Sequence, residues 1–242
     1  MASNTQFLKT SIKGLDAMLS GGIPEKSQIL IAGGPGTGKT LLTFEILYRA
    51  AKAGVPCAFI ALDENPESVA TNAKLTFTQF SDIDRLIDSH LLTIEGDNAS
   101  SKIATTADPE TYSYSSMISD MEDIIKSNKA KLVAVDSTSF IKLVLGNTTA
   151  YKRSMISIIS NLRRMGVTAF LTGEAHLAER TDAEPVREAF LFDGLVSLRQ
   201  TSTDHNRTFA MEVLKMRGAK HSRTLVSYEI TGEGFRFASS SV

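Results

Sequence analysis

Short apolar runs alternate with longer amphipathic stretches over most of the chain. Five runs, QILIAG (28–33), CAFIAL (57–62), LLTIEG (91–96), KLVAVD (131–136) and VTAFLTG (167–173), have the length and apolarity of buried strands. Between most of them lie helical patterns, at 39–53, 66–78, 115–128 and 150–165. Strand then helix, repeated, predicts an α/β fold with a mostly parallel sheet and helices on both faces. After residue 190 the pattern changes. GLVSLRQ (194–200), RTFAMEVLKM (207–216), TLVSYEI (224–230) and the short return GFRF (234–237) follow one another with no helix between them. They are expected to extend the sheet with antiparallel strands. The polar, Ser/Thr-rich stretch 97–116 reads as a loop excursion, and residues 239–242 as a tail. With no internal repeat and no Pro/Gly-rich linker, residues 1–242 are expected to form a single domain.

Composition narrows the class of partner. The chain is 42% hydrophobic and 22% charged, ordinary for a globular protein. Its formal net charge of −1 provides no global basic field to recruit nucleic acid or an anionic membrane. Cys57 is its one cysteine, which excludes a disulfide within the chain and suits a reducing, cytoplasmic setting. The N-terminus lacks a basic stretch followed by an apolar one, and no run approaches the roughly eighteen apolar residues of a membrane span. Membrane insertion is not expected.

The first strand runs directly into GGPGTGKT, which matches G-x-x-x-x-G-K-[ST] at Gly33, Gly38, Lys39 and Thr40. Glycines let the backbone turn tightly and aim N–H groups inward at phosphate oxygens, and the following helix adds its positive end. Gly34, Pro35, Gly36, Thr37, Gly38, Lys39, Thr40 and Leu41 therefore form the expected nucleotide-binding segment. Lys39 would reach the β- and γ-phosphates, and the Thr40 hydroxyl would ligate Mg²⁺. Asp136, ending LVAVD, is the expected second anchor for that ion.

FIALDENPES (59–68) places two acids, Asp63 and Glu64, at the end of a neighbouring strand. Ligands of such sheets bind at the C-terminal ends of the strands, so an acid there can orient or deprotonate an attacking water. Strand alternation predicts that at most one of the pair aims at it. Glu174, ending LTGE, reads either as a γ-phosphate sensor or as a solvated strand end. His90, His176 and His205 show no ligand spacing, and Asp193 reads as a turn residue.

Several blocks together resemble the KaiC-like branch of the RecA-type ATPases, in particular its single-domain archaeal members. They are TSIKGLDAMLSGGIPEKSQILIAGGPGTGKT (10–40), FIALDENPESVATNA, LVAVDS, EVLKMRGAKHS (212–222) and YEITGEGFRF, in that order. The resemblance implies a RecA-type core, ATP with Mg²⁺, and a homo-oligomeric ring, commonly a hexamer, with ATP between subunits. By motif match, Lys215 and Arg217 would reach the neighbouring subunit's phosphates, and His221 would lie near that nucleotide. Without the resemblance, the two cations read as charges protecting a solvated edge strand.

Two departures from the family shape the expected chemistry. Where the family has a first glutamate this chain has Asp63, one methylene shorter, and a misplacement near 1 Å can cost ~10²-fold in rate. Asp63 acting through a shifted water, Glu64 taking over, and slow hydrolysis all stay open, the last being favoured. Ala189 and Phe190 stand where the autophosphorylating half of KaiC has hydroxyl residues, so no phosphorylation cycle is expected there. The expected function is a slowly hydrolysing, regulatory or signal-relaying ATPase. One alternative is a structural ring or switch that holds ATP with hardly any turnover. The other is a RecA/RadA-paralogue DNA-binding ATPase of recombination or repair. For it, Lys142, Lys152 and Arg153 in 137–153 offer phosphate contacts. Glu179, Asp182, Glu184 and Glu188, set against Arg180 and Arg187 in 175–190, oppose them.

Overall fold

A computed structural model describes residues 6–96, 114–145, 147–174, 189–203 and 206–238. The strands are β1 (Phe7–Leu8), β2 (Ile23–Pro24), β3 (Gln28–Gly33), β4 (Cys57–Ala61), β5 (Leu92–Glu95), β6 (Leu132–Asp136), β7 (Thr168–Glu174), β8 (Gly194–Thr203), β9 (Asn206–Met216), β10 (Val226–Thr231) and β11 (Gly234–Phe237). The helices are α1 (Leu15–Met18), α2 (Lys39–Lys52), α3 (Pro66–Thr76), α4 (Ile83–Asp88), α5 (Tyr114–Ser127), α6 (Thr138–Leu145) and α7 (Thr148–Met165). β1 and β2 form a small antiparallel pair, and the other strands form one sheet in the order β11-β10-β9-β8-β3-β7-β6-β4-β5. This is the expected α/β architecture, with β9, β10 and β11 as its antiparallel extension.

Two details differ from the sequence reading. GLVSLRQ was expected among the antiparallel strands, but β8 runs parallel to β3, with Ile29 opposite Gly194 and Gly33 opposite Leu198. A parallel return needs a crossover of about a dozen residues or more, and the stretch between Glu174 and Gly194 supplies that length. Residues 137–149, given no element in the sequence reading, hold α6 and the start of α7, whose remainder matches the helix expected at 150–165. TSFIKLVL is eight residues long, too short for its apolar face to stand out from a strand-like run, and α6 buries Thr138, Phe140 and Ile141. The expected excursion at 97–113, the tail at 239–242 and the acidic stretch 175–188 lie outside the described residues.

Alternation along the strands divides the core in two. Ile29, Ile31, Cys57, Phe59, Leu132, Ala134 and Phe170 face a cluster with α2, α3, α4 and the C-terminal strands. Leu30, Ala32, Ala58, Ile60, Val133, Val135, Ala169 and Leu171 face a second cluster with α5, α6 and α7. Strands apolar on both faces require helices on both sides. Caps set the helix ends: Asn65 accepts from the Glu67 N–H at 2.9 Å with Pro66 in the first turn, and Asn147 accepts from the Thr149 N–H at 2.8 Å. Among the described residues, no helix is long and apolar enough to cross a membrane.

One buried charge ties the C-terminal hairpin to α2. Glu45 is fully buried, accepts the Phe235 N–H at 2.7 Å and pairs with Arg49 at 2.7 Å. Burial raises its pKa, against the opposing pull of the Phe235 N–H and Arg49. A carboxyl that holds its proton more tightly when folded contributes stability that falls as pH rises from its unfolded value through the raised one. The stability difference between the unsubstituted chain and Glu45→Gln is therefore expected to decline as pH climbs above about 4.5. Urea denaturation over a pH series measures it, and a rising difference would contradict the assignment.

Candidate functional site

The sheet order brings the C-terminal ends of β3, β7, β6 and β4 side by side, with Gly33 level with Glu174 and Ala61 level with Asp136. The loop after β3, Glu174, Asp136 and the acids after β4 thus lie in a row along one edge, where ligands of parallel sheets bind. Segments far apart in sequence meet there because each follows or ends a strand.

The loop at 33–40 turns on glycines in left-handed conformation, Gly36 at φ 73° and Gly38 at φ 86°. At Gly38 a Cβ would also crowd the C-terminal hairpin, lying 2.7 Å from Ile230 Cδ1 and 3.1 Å from Phe235 Cζ. The Thr37 hydroxyl donates to the Gly34 carbonyl at 2.8 Å, closing the turn, while Pro35 and Gly36 are exposed and Leu41 packs on the core. α2 starts at Lys39, so its N-terminal N–H groups face the loop's concavity. The Lys39 ammonium donates to the carbonyls of Gly33 (3.1 Å) and Gly34 (3.0 Å). Burial lowers its pKa, and Glu174, Asp136 and Asp63 pull the other way.

Asp136 is buried and receives two hydroxyl donors, Thr40 at 2.7 Å and Thr172 on β7. Burial raises its pKa, while those two hydrogen bonds and Lys39 oppose the rise. The Thr40 hydroxyl and the Asp136 carboxylate are hard oxygen donors in direct contact, a pair suited to Mg²⁺. Asp63, Asp136 and Glu174 all act electrostatically on the single Lys39, and this excess of negative charge favours a divalent cation before a polyphosphate.

Both acids after β4 lie near this centre. β4 ends at Ala61, so Asp63 and Glu64 lie on bends beyond the pleat, where period-two orientation no longer applies. Asp63 accepts the Ser137 hydroxyl at 2.7 Å. Glu64 accepts from the Asn72 amide on α3 at 2.8 Å. Its pKa is raised by burial first, then by Asp136 and Asp63. Glu174 is exposed, and its N–H donates to the Ser139 hydroxyl at 2.9 Å.

Lys215 and Arg217 lie elsewhere. β9 is not an edge strand but sits between β8 and β10, which removes the edge-protection reading. Met216 is level with Gly194 and hence with Ile29, near the start of β3. Arg217 therefore lies roughly 15 Å along the sheet from the loop after Gly33, at about 3.3 Å per strand residue. A cation at the foot of the strands cannot serve the phosphate loop at their head.

The two cations are held by a short 3-10 turn, Ala189–Leu191, and the residue after it. Lys215 donates to the carbonyls of Ala189 (2.9 Å) and Phe192 (2.7 Å), Arg217 to Phe190 (3.2 Å) and Arg163 of α7 to Leu191 (2.9 Å). Asp193, read from sequence as a turn residue, joins the set: it accepts the Gln28 N–H at 3.0 Å and pairs with Arg163 at 3.1 Å and Arg217 at 3.6 Å. Burial, then Arg217, lowers the Lys215 pKa. With two of its three N–H groups committed, Lys215 keeps one donor for a ligand. His221 is half-buried, with Nδ1 3.1 Å from the Ser222 carbonyl. Sequence reasoning missed Arg163, Ser137 and Thr172. The alternating carbonyl–cation contacts involve the main chain, which carries no residue signal.

The same arrangement of elements occurs in known proteins. A family model described as the KaiC ATPase matches residues 8–241. A UPF0273 protein of Aeropyrum pernix is 31% identical over 232 residues, covering 94% of this chain and 91% of the relative. The circadian clock oscillator protein KaiC 1 of Synechocystis is 29% identical over 236 residues, covering 95% of this chain but 43% of the clock protein. In fold, the chain is similar to the crystal structure of a KaiC-like protein from Pyrococcus horikoshii, with a TM-score of 0.81, 24% identity and 97% and 99% of the two chains covered. With the family model spanning nearly the whole sequence, the chain belongs to the KaiC ATPase family.

Proposed function

We propose that this chain acts as one ATPase unit that binds ATP with Mg²⁺ at residues 34–41, hydrolyses it slowly, and works in a ring whose Lys215 and Arg217 serve the adjacent copy. The separation of those cations from their own phosphate loop carries this reading: they sit at the foot of the sheet, level with the start of β3, and the loop lies at its head. In a head-to-tail ring the foot of one subunit can meet the head of the next. A hexamer is the expected closure. Slow turnover inside a closed ring suits a regulatory or signal-relaying role.

The chain's own residues divide the work. The N–H groups of the glycine loop and α2 hold the phosphates, and Lys39 turns from the Gly33 and Gly34 carbonyls to the β- and γ-oxygens. Thr40 and Asp136 would hold Mg²⁺, which supplies charge neutralisation of the phosphate oxygens when bound. Water attacks the γ-phosphorus, its oxygen forms the new P–O bond, and the bond to the β-bridging oxygen breaks to release ADP. The acids beyond β4 orient that water and take its proton. Asp63 is one methylene short and is held by Ser137, whereas Glu64 keeps a raised proton affinity beside the same centre. Arg217 and Lys215 of the neighbour stabilise charge on the leaving phosphoryl oxygens.

Glu64→Ala is expected to lower ATP turnover by about 10²-fold, and Asp63→Ala by a smaller factor of about 10, with ATP affinity retained in both. Steady-state phosphate release alongside calorimetric titration makes the test. Unsubstituted rates in both variants would remove the acids from the mechanism.

A further inference from the structure

The β10–β11 hairpin presses on the phosphate loop, and one of its contacts does more than fill space. Tyr228 on β10 is 3% exposed and lies within an aromatic cluster, its ring centroid 5.6 Å from Phe209, 5.3 Å from Phe235 and 5.8 Å from Phe237. A phenylalanine would make those ring contacts equally well. The hydroxyl is the addition, and a buried hydroxyl is costly unless it is hydrogen-bonded. It donates to the main-chain carbonyl of Thr37 at 2.5 Å, and Thr37 is itself 1% exposed.

The position of that acceptor matters. In a planar trans peptide the C=O and the following N–H point in opposite directions. Holding the Thr37 carbonyl against the hairpin turns the Gly38 N–H away from the hairpin. Gly38, at φ 86° and without a side chain, leaves the peptide before it free to rotate unless something holds it; the peptide after it is already held, because its carbonyl accepts the Leu42 N–H at 2.8 Å. Ile230 and Phe235 restrict its position by contact, but only the hydrogen bond selects the direction of the peptide plane.

We propose that Tyr228 is a positioning residue for the phosphate-binding loop, its hydroxyl orienting the Thr37–Gly38 peptide so that the Gly38 N–H faces bound phosphate. The proposal rests on the nucleotide reading above and adds to it a residue of the C-terminal hairpin that touches no phosphate. Burial pushes the phenol pKa up, so the group stays a neutral donor over the working pH range. The hairpin is in turn tied to the second turn of α2 through Glu45 and the Phe235 N–H, which links helix, loop and hairpin.

The test compares the unsubstituted chain, Tyr228→Phe and Phe209→Leu. Affinities for ATP–Mg²⁺ and for inorganic tripolyphosphate are measured by isothermal titration calorimetry, and melting temperatures without ligand. Tyr228→Phe should weaken both ligands by about five- to tenfold and lower the melting temperature by about 2–6 °C, since one neutral hydrogen bond to a buried carbonyl is lost and the ring packing is kept. Phe209→Leu should lower the melting temperature and leave both affinities within about twofold, because it removes packing and keeps the hydroxyl. Equal affinities in Tyr228→Phe and the unsubstituted chain overturn the proposal while leaving the nucleotide reading intact. So does an equal loss of affinity in Phe209→Leu, or a Tyr228→Phe chain that melts more than about 10 °C early or does not fold, because the tyrosine would then act through stability alone. An unsubstituted chain that binds neither ligand overturns the nucleotide reading and this proposal together.

Discussion

Arg217→Ala is expected to lower ATP turnover by about 10³-fold while leaving ATP affinity within about threefold of the unsubstituted chain. An arginine that stabilises charge developing on the γ-phosphate contributes mainly in the transition state, so its loss falls on rate rather than binding. The side chain is more than half exposed and its pairing with Asp193 is a loose 3.6 Å, so its removal should cost little stability. Subunit mixing gives the sharper form of the prediction. Arg217→Ala chains keep an intact phosphate loop, and Lys39→Ala chains keep an intact Arg217. In rings assembled from equal amounts of the two, roughly a quarter of the head-to-tail interfaces pair a sound loop with a sound arginine. Turnover should therefore return in the mixture although neither parent is active. If the mixture stays as inactive as its parents, the arginine does not act across an interface. Native mass measurement with and without ATP–Mg²⁺ on the same samples reports whether the ring forms.

Lys39→Ala carries the second large effect, a loss of ATP affinity of about 10²- to 10³-fold. Its ammonium is half-buried at the mouth of the loop, and in this structure it bridges the carbonyls of Gly33 and Gly34. Two charge-assisted hydrogen bonds to phosphate oxygens, at about 1.5–3 kcal/mol each, would disappear. Stability should move in the other direction or hardly at all. Burial already penalises the charged ammonium, as the lowered pKa shows, and the alanine variant does not bear that cost. The expected result is a nucleotide-free melting temperature near that of the unsubstituted chain, with the upward shift on adding ATP–Mg²⁺ abolished. Calorimetry and thermal unfolding together measure it. Retained affinity would move the phosphate site away from this loop.

The strand and helix pattern was legible because the central strands β3, β4, β6 and β7 are apolar on both faces and the helices between them on one. QILIAG and GFRF coincide with β3 and β11, and the other predicted strands differ from their observed counterparts by a few end residues. The glycine-rich loop and Asp136 were legible for a related reason: local backbone geometry and a strand-ending carboxylate both leave marks in short stretches of sequence. Helix α6 was not legible, since a short apolar segment cannot be told from a strand by periodicity alone, and neither was the parallel course of β8, which depends on its pairing with β3 rather than on its own residues.

The sequence by itself determined the α/β class, the phosphate-type loop at Gly33–Thr40 and which carboxylates stand at strand ends, because these depend on residues that are neighbours in the chain. Tertiary structure decided what those groups do to one another. The sheet order set Thr40 against Asp136 and Ser137 against Asp63, pairs separated in the chain by a helix or more. Register along β3, β8 and β9 carried Lys215 and Arg217 to the foot of the sheet, and the carbonyls of residues 189–192 hold them there. Every chain offers the same main-chain donors and acceptors at each non-proline residue, so nothing in a sequence marks which of them will be used. Only the fold brings a particular carbonyl within reach of a particular cation.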